Sequence, residues 1–238
     1  MGLSIVIARR ELSSYFYSPM AYVAMTLFLL VAGFLFWRDF QPGKPVAMRT
    51  IFDWMVWLLV FIVPVLCMGL LAQEWATGTI ETLMTAPVDE TEVVMGKFLG
   101  SFAFFIVLLI PTLIYVGMLA LYGRPDYGPI FSGYLGVLLV GALFIAIGLF
   151  CSSWTRSQVV AAVAAAAILF TITIAPWWAG QQTTLPGFWR NVVDQGVFTR
   201  YTDFSKGVLD LGNILFFLVS TAVFLFVTIK VLESRRWK

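Results

Sequence analysis

Six long apolar runs dominate this 238-residue chain and decide most of what it can fold into. Each is close to the roughly 20 residues that an α-helix needs to cross a bilayer. Because the bilayer interior offers no water to an open backbone, each run is predicted to be a helix. The chain is therefore expected to be an all-α polytopic membrane protein with a single transmembrane domain over residues 1–238. The predicted spans are Met20–Trp37, Ile51–Ala72, Phe98–Leu121, Phe131–Cys151, Val159–Trp178 and Ile214–Val231.

The composition argues against several classes of function. Hydrophobic residues make up 61% of the chain and charged residues 12%, whereas a soluble domain carries roughly a quarter charged residues. The chain has no His, so imidazole bases and His-containing metal sites are excluded. Cys67 and Cys151 are predicted to be buried free thiols, and a net charge of +2 is too small to indicate nucleic acid. No catalytic residue, metal site or cofactor site is predicted in this chain, so we expect no enzyme.

The segment before the first span mixes apolar and polar side chains at helical spacing. Leu3–Tyr17 therefore predicts an amphipathic helix in the membrane interface, within residues 1–18. Ser18 and Pro19 are typical of a helix start, with Pro at the first helical position. Pro64 and Pro111 predict kinks in the second and third spans, because each removes a backbone hydrogen bond.

The connection between the second and third spans carries the most informative pattern. On a helix over residues 73–88, Ala76 and Ile80 fall on an apolar face, whereas Glu74 and Glu81 fall on the opposite, acidic face. After Pro87, the pair Asp89 and Glu92 is predicted to cap the next helix. Gly96 and Gly100 are spaced to let another helix approach closely. Periodicity alone leaves two readings of the helix over 73–88: an interfacial element that shields the bundle, or a docking element for a cytosolic partner.

The outer connection, residues 179–211, is also longer than a turn. Its large apolar side chains recur at near-helical spacing, which predicts short or re-entrant helices in the outer interface. The run Ala161–Ala167 favours close packing of the fifth span, and Trp177 with Trp178 is typical of an interfacial aromatic belt. The apolar residues concerned are Phe188, Trp189, Val192, Val193, Val197, Phe198 and Tyr201.

The sequence contains no motif that would let the chain supply energy for transport by itself. A phosphate-binding loop would read G-x-x-x-x-G-K-[ST], and neither Gly43-Lys44 nor Gly96-Lys97 fits that pattern. No ionisable residue is evident at mid-membrane of the kind that proton-driven or sodium-driven transporters use. Asp53 lies near the outer end of the second span, where its charge is expected to reach water. Energy for transport would have to come from a separate chain.

The connection between the second and third spans resembles the signature of permease subunits of type-2 ABC exporters, most closely those associated with gliding motility. Permeases of nitrous-oxide-reductase maturation are also similar. The N-terminal Arg9-Arg10-Glu11-Leu12 segment and the stretch Tyr201–Asp210 fit the same resemblance, which covers essentially the whole chain. The matching run is Glu74-x-x-x-Gly78-Thr79-Ile80-Glu81-x-Leu83-x-Thr85-x-Pro87.

The resemblance implies a transmembrane permease subunit with an interfacial helix at its N-terminus. It implies that residues 73–88 form a coupling helix seated on a cytosolic ATP-binding subunit, which would hold the ATP and Mg²⁺. It also implies a second permease protomer, identical or related, short paired helices in the outer connection, and export of a substrate. The docking residues would be Glu74, Gly78, Thr79, Ile80, Glu81, Leu83 and Pro87.

Six spans place both termini on one side of the membrane. Basic residues at both ends indicate that this side is the cytoplasm, although basic residues in the loops are nearly balanced between the two sides. The resemblance implies that the protein lies in the bacterial inner membrane, in contact with lipid. A protein with a periplasmic domain is a further candidate partner.

Two alternatives to transport remain open from the sequence. One is a membrane scaffold in an ATPase-driven mechanical or assembly complex of the motility type, which transports nothing. The other is a passive channel or assembly anchor with no ATPase.

Overall fold

A computed structural model describes residues 2–39, 48–78, 89–122, 125–180 and 196–236. Over these ranges the chain is helical and contains no strand, which confirms the all-α prediction. Six helical stretches are long and apolar enough to cross a membrane, and each contains most of one predicted span. The α-helices are α1 Leu3–Tyr17, α2 Pro19–Asp39, α3 Arg49–Cys67, α4 Ala72–Thr77, α5 Glu90–Leu109, α6 Leu113–Tyr122, α7 Tyr127–Trp154, α8 Gln158–Gly180, α9 Val197–Ser205 and α10 Leu211–Arg236.

The two prolines predicted to disturb their spans differ in their effect. Pro111 falls in a single 3₁₀ turn, Ile110–Thr112, which separates α5 from α6, as expected where a backbone N–H is missing. Pro64 instead lies inside the last turn of α3, which continues to Cys67. The residues between Cys67 and Ala72 form turns before α4 resumes the helix.

Two of the spans form the centre of the bundle. In the most apolar 18 residues of α7, 72% are buried, and the corresponding value for the second span is 67%. In the other four spans the same measure lies between 22% and 33%. Large apolar side chains therefore cover the outer surfaces of those four, as expected for helices that face lipid.

Helix α7 occupies the centre because small residues along it let three other helices approach. A Cβ at Gly133 would clash with Phe52 of α3, and one at Gly141 would clash with Phe105 of α5. At Gly136 a Cβ would lie 2.7 Å from Cβ of Phe204 in α9. Glycine at these positions brings the helices close enough for their side chains to interlock.

The N-terminal helix α1 packs against the N-terminal half of α5. A Cβ at Gly96 would lie 2.7 Å from Cβ of Ile7, and one at Gly100 would lie 2.8 Å from the carbonyl oxygen of Ala8. The close approach predicted from the spacing of Gly96 and Gly100 is thus present, and the helix that makes it is α1. The hydroxyl of Tyr15 donates to the carbonyl oxygen of Leu66 at 2.9 Å, so α1 is also held to the end of α3.

Candidate functional site

The residues predicted to dock a partner lie only partly within the described structure. Glu74 is on the short helix α4, and Gly78 follows its last residue. The remaining predicted docking residues lie outside the described residues: Thr79, Ile80, Glu81, Leu83 and Pro87. The described end of the connection, α4 with its neighbours, is the part of the predicted site that can be built from contacts.

The predicted helix over residues 73–88 is not continuous. Helix α4 ends at Thr77, and Gly78 adopts the left-handed conformation with φ +71°. Glycine favours this conformation because it has no Cβ to clash with the following carbonyl, and helices commonly end on such a residue. The helix-ending role of Gly78 could have been recognised from the sequence, because a Gly within a helical pattern is also a candidate end. Ala72–Thr77 is therefore an extension of the second span and not the start of a helix that runs to Pro87.

The predicted orientation of this helix fails at Glu74 and Ala76, although Thr77 and Gly78 are exposed as predicted. The side chain of Glu74 is only 17% exposed and points to the protein interior, whereas Ala76 is exposed. The prediction placed apolar side chains inward by periodicity alone. It failed because a buried cation on another helix attracts the carboxylate of Glu74.

That cation is Lys97 of α5, whose side chain is 1% exposed. Its Nζ lies 2.8 Å from Oε1 of Glu74 and 2.6 Å from Oε1 of Glu11 in α1. A guanidinium nitrogen of Arg10 lies 3.4 Å from the same oxygen of Glu74. Burying an ammonium without a partner is costly, and two carboxylates offset that cost here. We call these four residues, Arg10, Glu11, Glu74 and Lys97, the inner ionic cluster.

Little in the sequence indicates this cluster. Lys97 follows a polar connection and precedes an apolar run, a position typical of a charge at the membrane surface. Its partners lie 86 and 23 residues away along the chain. The only available signal was the position of Lys97 between Gly96 and the first residues of a span, where close helix packing would bury it.

A hydroxyl from the central helix caps the start of α4. The side chain of Ser152 in α7 accepts hydrogen bonds from the backbone N–H groups of Leu71 and Ala72, both at 3.0 Å, and donates to the carbonyl oxygen of Met68 at 3.2 Å. The first N–H groups of a helix have no partner within it, and α4 has no capping side chain of its own. Ser152, which is fully buried, supplies that cap from another helix.

The last helix also reaches α4. The guanidinium of Arg235 in α10 lies 4.9 Å from the ring centroid of Trp75 and donates to the carbonyl oxygen of Trp154 at 2.6 Å. A cation over an indole face is attracted by the ring, and a cation near the end of a helix interacts favourably with its last carbonyls. Side chains from α1, α5, α7 and α10 therefore all converge on α4, which is six residues long.

A cavity of about 600 Å³ lies beside the inner ionic cluster, bordered by α1, by the start of α2 and by α4. Its wall includes the polar side chains of Ser14, Ser18, Gln73 and Gln158 in addition to the members of the cluster. Within the described ranges, no three His, Cys, Asp or Glu side chains come together as they would around a metal ion. The arrangement suits mechanical linkage between helices, since the charges of its two basic and two acidic residues neutralise one another.

Towards the other end of the bundle, α9 packs against α3, α7 and α8. Of the aromatic and branched residues that predicted helices in the outer connection, Val197, Phe198 and Tyr201 lie on α9 and are buried. The others, at positions 188–193, lie outside the described residues. Asp53 on α3 is half-buried, and one of its two carboxylate oxygens is enclosed by protein.

Both cysteines are buried free thiols, as predicted. The predicted capping pair is also present: the side chain of Asp89 accepts from the backbone N–H of Glu92 in the first turn of α5, and the side chain of Glu92 accepts from the backbone N–H of Asp89 at 3.4 Å. This capping box fixes where α5 begins. The connection between the second and third spans is thus anchored at both of its described ends.

Comparison with known proteins assigns a family to this architecture. The family model described as "ABC-2 family transporter protein" matches residues 41–187, which is more than half of the chain. No curated protein matched the sequence. The match includes α3, α4, α5 and α7, and with them Lys97 and Ser152, whose side chains bond to α4 or to its first N–H groups. Six apolar helices and this match make the chain a multi-pass membrane protein, and it belongs to the ABC-2 family of transporter proteins as a permease component.

Proposed function

We propose that this chain couples ATP hydrolysis by a separate ATPase subunit to the export of a substrate. Membership of the ABC-2 permease family implies an ATP-binding partner in the transporter. In this proposal the connection between the second and third spans docks on that partner, which holds ATP and Mg²⁺. The proposed docking residues are Gly78, Thr79, Ile80, Glu81, Leu83 and Pro87. Glu74, which the sequence also predicted to dock, instead holds the connection to the bundle through Lys97.

The observation that carries the proposal is the convergence of four helices on α4. The described part of the connection ends at Gly78 and resumes at Asp89, and the end before Gly78 is held by Ser152, Lys97 and Arg235. A contact that moves the connection would therefore move α4 and the helices bound to it. Such linkage is what a permease needs if the energy source lies in another chain.

The proposed assembly has two permease protomers, identical or related, in a bacterial inner membrane. Both termini lie in the cytoplasm in this arrangement, which the basic residues near the chain ends support. A partner with a periplasmic domain would be a further subunit if the chain belongs to the gliding-motility group. The family match is to ABC-2 transporters as a whole, so that group stays a prediction.

The test begins with co-purification of the full-length chain from its native membrane. We expect an ATP-binding chain to accompany it, and the ATPase activity of the complex to be measurable in lipid nanodiscs. A complex without any ATPase would contradict the proposal and favour a passive channel or anchor. ATPase activity that no exported compound stimulates would instead favour the mechanical scaffold.

Two substitutions at Gly78 and one at Glu81 test the docking segment. Gly78→Ala should uncouple ATPase activity from transport, because the left-handed backbone costs an L-residue with Cβ about 1–2 kcal/mol. Gly78→Asn is the matched control, since Asn tolerates this conformation. Glu81→Gln should uncouple without loss of membrane insertion. If these variants instead fail to insert, the segment is structural and the docking proposal fails.

A further inference from the structure

Helix α4 is joined to its neighbours in two different ways. At its first residues, the backbone N–H groups of Leu71 and Ala72 are held by Ser152 of the central helix α7. At Glu74, further along α4, the link is an ion pair to Lys97 of α5. The turns between Cys67 and Ala72 separate α4 from the regular part of α3. Helix α4 can therefore tilt about Ser152 without bending a continuous second span.

The link between α1 and α5 is of another kind. Gly96 and Gly100 bring the two backbones so close that a Cβ would fall within 3 Å of Ile7 or Ala8. Close-packed helices of this type move together, because any separation gives up many contacts at once. The pair formed by α1 and the inner half of α5 is therefore one packed unit, and its integrity does not depend on an ion pair.

Lys97 connects this packed unit to α4. Its ammonium contacts Glu74 on one side and Glu11 on the other, and its side chain is 1% exposed. A displacement of Glu74 away from Lys97 would weaken the compensation of a buried charge, so the ion pair resists separation of α4 from α5. Arg10 adds a second, more exposed contact from α1 to the same carboxylate.

We propose that Lys97 is a positioning residue that transmits displacement of the coupling connection to α5 and α1 through its ion pair with Glu74. This inference rests on the proposed function. It assigns the third span and the N-terminal helix as the elements that respond first, and the central helix α7 as the fixed point. Glu11 supports the charge of Lys97 but is not part of the transmitting contact.

The experiment uses the complete complex with its ATPase subunit in lipid nanodiscs. Hydrogen exchange is measured with and without ATP and vanadate for the wild type, for Glu74→Gln and for Glu11→Gln. Both variants replace a carboxylate by an amide of the same shape, and each leaves Lys97 one carboxylate. They therefore form a matched pair that differs only in which helix loses its charge.

In the wild type, nucleotide is expected to change the exchange of residues 79–88, of α1 and of the inner end of α5. In Glu74→Gln the change at residues 79–88 should remain and the changes in α1 and α5 should be lost. In Glu11→Gln all three changes should remain, because close packing keeps α1 on α5.

Three results would overturn the inference. One is a nucleotide-dependent change of hydrogen exchange in α1 and α5 of Glu74→Gln. Another is the loss of that change in α1 and α5 of Glu11→Gln. The third is loss of ATPase binding in Glu74→Gln, because Glu74 would then be a docking residue and not an internal link. Failure of the proposed function is distinguishable from these, since it would appear in the wild type as no nucleotide-dependent change at residues 79–88.

Discussion

The Nζ atom of Lys97 lies 2.8 Å from a carboxylate oxygen of Glu74, and the two residues flank the connection between the second and third spans. The ion pair therefore joins α4, which precedes that connection, to α5, which follows it. Lys97 is almost fully buried and Glu74 is 17% exposed, so solvent screens the pair far less than it would a surface pair. Substitutions at this ion pair and in the helix packing around it test the structure.

Replacing Lys97 by Met should lower stability markedly. The change leaves Glu11 and Glu74 without their buried cation, and breaking a buried pair in this way costs about 3–5 kcal/mol. Lys230→Met is the matched control, because Lys230 and Glu233 form an exposed pair worth at most about 1 kcal/mol. Thermal unfolding in detergent can be followed with a thiol-reactive dye, since Cys67 and Cys151 are buried in the folded chain. Equal shifts for the two variants would contradict the structure.

Gly100→Ala should destabilise the chain by about 1–3 kcal/mol through overpacking. The new Cβ would lie 2.7 Å from Cβ of Glu11 and 2.8 Å from the carbonyl oxygen of Ala8, so α1 would have to move away from α5. Gly117→Ala on α6 is the control, because no atom lies within 4 Å of its Cβ position. The same dye assay compares them. Unchanged stability in Gly100→Ala would show that α1 does not pack where the structure places it.

Ser152→Ala should cost about 1–3 kcal/mol, since it leaves the buried N–H groups of Leu71 and Ala72 without an acceptor. The control is Ser153→Ala. Ser153 is equally buried, but its hydroxyl donates only to the carbonyl oxygen of Phe150 in its own helix. We expect a clear drop in unfolding temperature for the first variant and little change for the second. The reverse order would place the cap of α4 elsewhere.

Tyr201→Phe should leave stability unchanged or raise it by about 1 kcal/mol. Within the described residues the hydroxyl of Tyr201 is fully buried and has no hydrogen-bond partner, and removing an unsatisfied group removes its desolvation penalty. Tyr134→Phe is the matched comparison, because that hydroxyl bonds to Thr112 at 3.0 Å and its loss should destabilise. A destabilised Tyr201→Phe would reveal a partner for the hydroxyl, such as a bound water.

Tyr201 also predicts a pH dependence. Burial, with a smaller contribution from the charge of Asp53, raises the pKa of Tyr201 well above its usual value. In the unfolded chain the phenol would lose its proton from about pH 10 upward, while in the folded chain it would stay neutral. The stability that this group contributes is therefore complete below about pH 10 and falls as the pH rises further. Tyr201→Phe should unfold less readily than the wild type at such pH, and an identical alkaline profile would contradict this assignment.

Helices determined by burial in lipid or by local capping could be predicted from the sequence. The helix Leu3–Tyr17, the start at Pro19 and the capping box of Asp89 and Glu92 are present as predicted, because each depends on residues a few positions apart. The end of α4 at Gly78 is also a local signal, but the periodicity of the surrounding residues obscured it. Recognising the permease family depended on the motif in the same connection.

The sequence by itself determined the six spans, because any apolar run of that length must satisfy its backbone internally when it crosses a bilayer. It also determined that Gly96 and Gly100 would meet a helix, but not which one. Only the tertiary structure decided that this helix is α1, that Lys97 bonds Glu11 and Glu74, and that Ser152 caps α4. The hydrogen bonds of Lys97 and Ser152 join residues 23 to 86 positions apart, and all of these contacts depend on how each helix is rotated and tilted against its neighbours. Hydrophobic spacing constrains that rotation weakly when lipid and protein interior are equally apolar.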